Sequence, residues 1–104
     1  MDQQQKEIFK LIERVYRHLN KLKDEMKTAK NEKNVFWFKT MDSVHDIGLK
    51  EVTLLSMLLL TKSKDARDIY FNGDGIKRVM NFINECDLNQ AKEERVLILK
   101  EKLH

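Results

Sequence analysis

The sequence predicts a mainly α-helical domain with a small two-stranded β element, preceded by a long N-terminal helix. Three observations carry that prediction. The 104 residues hold no proline and only three glycines, so little in the chain interrupts a helix. Ile8, Ile12, Val15, Leu19, Leu22 and Met26 recur at spacings of 4, 3, 4, 3 and 4, the period of an apolar helix stripe. Two short stretches, 35–40 (VFWFKT) and 69–72, have the aromatic and β-branched composition of strands.

Taken in order, the first helix runs from Gln3 to about Lys30. Phe9, Leu11 and Tyr16 widen its stripe, which suits packing on a core or a seam with a second copy. On its far side Lys10, Arg14, Arg17 and Lys21 are spaced 4, 3 and 4 and form a basic stripe. Thr28 to Asn34 reads as a polar connector. The segment 35–40 reads as a strand or as an aromatic stretch entering the core. Asp42 or Ser43 is placed to cap a helix, Gly48 to interrupt it, and Leu49 to about Lys62 forms an apolar helix at the centre of the core. Residues 62–75 read as a loop with turns at Asn72-Gly73 and Asp74-Gly75, and a strand in it would pair with 35–40. A short helix from Gly75 to Asn84, a break at Glu85-Cys86-Asp87 and a last helix from Leu88 to Lys102 complete the chain.

The length fits one domain, residues 1–104, divided into a basic amphipathic helix over 1–33 and a core over 35–104. Hydrophobic residues make up 41% and charged residues 36%, a globular balance with a highly charged exterior. The net charge of +3 is unevenly placed. Residues 1–33 carry nine Lys/Arg against six Asp/Glu, whereas 34–104 carry eleven of each. A cationic zone of this kind points toward a polyanion. The single Cys86 excludes an internal disulfide framework and fits a reducing cytoplasm. No apolar run approaches a membrane span, so a cytoplasmic protein without membrane association is expected.

The order of elements, ending in the segment INECDLNQAKEERVLILKEKL, resembles winged-helix DNA-binding domains with a helix-turn-helix at about 75–103. Leu88, Asn89, Gln90 and Ala91 match the opening of a recognition helix in that family, and Cys86 takes the turn position that is often glycine. Glu93 and Glu94 depart from the pattern, as does the lack of room for a wing after the last helix. In size and layout the chain is similar to small origin-binding proteins of Gram-positive plasmids and phages, including conjugation accessory proteins similar to TcpK and winged-helix replication proteins. The resemblance implies sequence-preferring binding of double-stranded DNA by a homodimer, at an origin or an operator. Asn89, Gln90, Lys92 and Arg95 would contact bases, and Lys10, Arg14, Arg17 and Lys21 phosphates. Ile8, Ile12, Val15, Leu19, Leu22 and Met26 would form the dimer interface.

No catalytic motif is visible, so no enzyme and no cofactor are expected. Asp65, Asp68 and Asp74 lack the ligand alternation of a calcium loop, and His45 has no partner at metal-ligand spacing. The alternative function is a small helical adaptor or inhibitor that binds a protein partner and not DNA.

Overall fold

The computed structural model describes residues 2–87. Helix α1 spans Gln3–Asn31, α2 spans Val35–Leu60 and α3 spans Lys64–Asn72. A further helix, α4, occupies 74–87.

Each of the first three helices starts at a sequence-encoded cap. Asp2 accepts the Gln5 backbone N–H at 2.8 Å, while the Gln5 side chain accepts the Asp2 N–H at 3.0 Å, a reciprocal capping box. The other Asp2 oxygen accepts from Arg67 Nη1 at 3.0 Å, which ties the start of α1 to α3. The Gln5 N–H and the Arg67 guanidinium hold the Asp2 carboxyl below its usual pKa of 3.8. Asn34 caps α2 through the Trp37 N–H, and Ser63 caps α3 through the Ala66 N–H.

The end of α1 closes by a Schellman pattern. The Asn34 N–H bonds to the Ala29 carbonyl at 2.8 Å and the Lys33 N–H to the Lys30 carbonyl at 3.1 Å. Lys33 holds the left-handed conformation this requires, with φ of 59°. The short connection folds α2 back antiparallel on α1. Helix α4 then lies in the groove between them. At Gly48 of α2, an added Cβ would stand 2.5 Å from the Phe82 ring and 2.7 Å from Leu19 Cδ2. Three helices therefore converge on a residue without a side chain. Ile8, Val15, Leu19, Leu55, Val79, Phe82 and Ile83 form the centre of the core, each no more than 2% exposed.

The expected β element is overturned. No strand occurs among the described residues: 35–40 is the first turn and a half of α2, and 69–72 ends α3. Strand-like composition yields here to the Asn34 cap and to a core register of Met41, Val44, Gly48, Val52 and Leu55, which is helical. The winged-helix architecture falls with the strand pair. Gly48 does not interrupt α2, and Glu85-Cys86-Asp87 does not break α4. Asp42 and Ser43 are interior to α2 and cap nothing.

Candidate nucleic-acid interface

The polar side of α1 carries the basic stripe as the sequence implies. At 100° per residue, Lys10, Arg14, Arg17 and Lys21 share one sector of the helix and extend about 16 Å along it. All four are exposed. None holds an ion pair with a described residue. Arg14, Arg17 and Lys21 border a shallow hollow of ≈ 320 Å³ with His18 and Asn20. Lys10 and Arg14 border another, of ≈ 350 Å³, whose far wall is Phe71 and Ile76. Lys10 and Arg14 thus border the seam between α1 and the α3–α4 unit. His18 fixes that seam: Nδ1 donates to the Arg14 carbonyl at 2.9 Å, Nε2 lies 3.4 Å from Asp87 Oδ1, and the ring stands edge-on to Phe82.

The six residues expected at a dimer interface sit elsewhere. Ile8, Val15, Leu19 and Leu22 are buried in the chain's own core, and Ile12 and Met26 are packed half-buried against it. The four buried residues cannot also face a second copy. The apolar surface α1 leaves open is Phe9 and Tyr16, which border a hollow of ≈ 570 Å³ with Ile12, Glu13 and Arg17. The residues expected to contact bases, Asn89, Gln90, Lys92 and Arg95, lie outside the described residues.

Two polar features of the core were not anticipated. Glu51 is 5% exposed, and its Oε1 accepts from Arg78 Nε at 2.9 Å. Its Oε2 and the Tyr70 hydroxyl are buried without a hydrogen-bond partner among the described residues. Burial, reinforced by the Glu51 charge, raises the Tyr70 pKa, so the phenol stays neutral. The signal for Glu51 was present: it stands three residues after Gly48, at a core position of α2. The Cys86 thiol is pushed up to about 12 by burial, which leaves it protonated and unreactive. No helix among the described residues is long and apolar enough to cross a membrane.

No family model matches the chain, and no solved structure matches it. The chain is similar to the heat-inducible transcription repressor HrcA of Thermoanaerobacter sp. (strain X514). The two are 33% identical over 82 residues, which cover 75% of this chain and 23% of the repressor. The chain therefore spans less than a quarter of the length of that relative.

Proposed function

We propose that this chain is a DNA-binding regulatory module without catalytic activity of its own. The observation that carries the proposal is the exposed stripe of Lys10, Arg14, Arg17 and Lys21 along one helix, unpaired among the described residues. A charged row of this kind neutralises phosphates and releases their counterions, which supplies affinity for any duplex. Similarity to a transcription repressor supports a regulatory role; the site bound would be an operator or a plasmid or phage origin. Selectivity is assigned to Asn89, Gln90, Lys92 and Arg95, whose amide and cationic groups match adenine and guanine edges. Two copies would read paired half-sites, joined through the open Phe9 and Tyr16 surface instead of the buried stripe.

Duplex binding by fluorescence anisotropy across a salt series tests this. The R14A/R17A double variant is expected to bind all sequences more weakly. Its log–log salt slope should be shallower by about 1.8, at roughly 0.9 for each phosphate no longer neutralised. Gln90→Ala is expected to relax preference at one base pair and leave the slope alone. An R14A/R17A slope equal to that of the native chain, or no duplex binding at ~50 mM salt, would reject the reading.

A second reading, a helical adaptor that binds a protein, is favoured by one feature. Phe9 and Tyr16 are 43% and 50% exposed on the same face of α1. Stoichiometric co-purification of a protein, with no duplex affinity, would select it.

A further inference from the structure

The tip of the α1–α2 hairpin holds a groove of ≈ 530 Å³. Ala29, Val35 and Phe38 make its apolar lining, and Lys30, Lys33 and Lys39 border it. Phe38 is half-buried and forms the accessible floor above the buried Ala29, whereas Val35 is 63% exposed at the edge. None of the three ammonium groups forms an ion pair with a described residue.

Two further observations give the groove its sign. It lies at the N-terminus of α2, a helix of 26 residues with no acid in its first turn. The positive end of that helix dipole therefore adds to the three lysines with no first-turn carboxylate to offset it. Lys33 also occupies a left-handed backbone position, φ 59°, where glycine or asparagine is the usual choice. A residue that fits the turn poorly thus stands where it adds a cation to the groove.

We propose that this groove docks a short segment of a protein partner presenting an aliphatic or aromatic anchor beside one or more carboxylates. The apolar lining takes the anchor, and the lysines with the α2 dipole take the carboxylates. Duplex DNA supplies anions but no apolar group to fill the floor. An anionic bilayer would meet the exposed rim at Val35 and leave the half-buried Phe38 below it unfilled. The proposal does not rest on DNA binding, because the groove begins about 12 Å along α1 from Lys21.

The test uses the full chain and a labelled peptide in which pairs of glutamates alternate with pairs of leucines. The controls are the same peptide with lysines replacing glutamates, and vesicles of phosphatidylserine and phosphatidylcholine. The acidic peptide is expected to bind and the basic one not. NMR shift changes are expected to cluster at 29–42. The K30E/K39E variant should weaken binding by at least about tenfold, since it turns two solvent-exposed attractive pairs into repulsive ones. Lys33→Gly should weaken it by a smaller factor while thermal stability holds or rises, since glycine suits the turn. A merely structural role for Lys33 predicts no change in affinity. R14A/R17A should leave peptide binding intact, which separates this result from the fate of the DNA reading. The proposal is overturned if both peptides bind equally, or if affinity is unchanged in K30E/K39E. It is equally overturned if vesicles or duplex DNA, and not the peptide, lose binding in that variant.

Discussion

Phe82 and Phe36 are the same side chain in opposite circumstances. Phe82 is 1% exposed and fills the space left by Gly48, while Phe36 is 79% exposed on the first turn of α2. The contrast extends to the regions around them. Where α4 lies on α1 and α2, apolar residues from all three helices interlock, and burial supplies the stability. At the hairpin tip the chain is shaped by local hydrogen bonds: the bonds to Ala29 and Lys30 carbonyls that end α1, and the Asn34 cap that starts α2. Hydrogen bonds of that kind fix backbone geometry without consuming side-chain surface. The tip can therefore keep apolar and cationic groups open, whereas the three-helix section cannot.

The largest expected effect sharpens this contrast. Phe82→Ala should cost about 3–5 kcal/mol, the range for deleting a buried aromatic ring from a packed core. Phe36→Ala should fall within about 0.5 kcal/mol of the native chain, as exposed substitutions do. Urea denaturation of both variants, compared at equal m-value, measures the difference. A loss above about 1 kcal/mol for Phe36→Ala would show that the tip carries part of the core and would dissolve the distinction.

The same contrast explains how much of the molecule was legible in its sequence. The α1 helix was readable because heptad spacing sustained from Ile8 to Met26 admits few other secondary structures, but spacing alone does not tell a dimer seam from the chain's own core, where Ile8, Val15, Leu19 and Leu22 lie. The basic stripe was readable for the same reason. The segment 35–40 was misleading because four successive apolar residues, Val35 to Phe38, show no period. The helical register appears only when Met41, Val44, Gly48, Val52 and Leu55 are counted with Trp37. Asn34 was the overlooked start signal. Residues 69–72 were misleading in another way. The two glycines that follow suggested turns in a loop, but Gly73 ends α3 and Gly75 lets the Tyr70 ring approach, where a Cβ would stand 2.3 Å from it. The tip groove had no sequence signature, since its lining comes from the end of one helix and the start of the next.

A smaller effect is expected from the device that shapes the tip. Asn34→Ala removes the acceptor for the Trp37 N–H and should cost about 1 kcal/mol, typical of an N-cap. The contrast between regions adds where the loss should appear. Hydrogen exchange should accelerate at the first turns of α2, with amides near Val15 and Leu19 protected as before. Acceleration spread evenly over both regions would mean that they open together and that the cap stabilises the whole bundle.

The smallest effect concerns His45, which lies on α2 between the two regions. Its side chain is buried, and Nε2 has no hydrogen-bond partner among the described residues. Burial holds its pKa below the ordinary 6.5, assisted by the charge of Lys23, and the opposing charges of Asp42 and Asp46 do not reverse this. As pH falls, the unfolded chain therefore takes up this proton before the folded one does. The corresponding stability is complete above pH 6.5 and is lost as pH falls from there through the folded pKa. The melting temperature should accordingly drop between about pH 7.5 and pH 5.5, a range above the titration of Asp2. His45→Leu should flatten that drop, because leucine neither binds the proton nor needs a partner. An equally steep drop in the variant would assign it to other groups. Exchange rates at about pH 5.5 then decide which region His45 serves. Faster exchange confined to the tip would make it a lock on the hairpin end, since protonation would strain only the neighbours beyond Gly48. Faster exchange at Leu19 and Val52 as well would place His45 in the interlocked core, because a charge there must be expelled by opening all three helices.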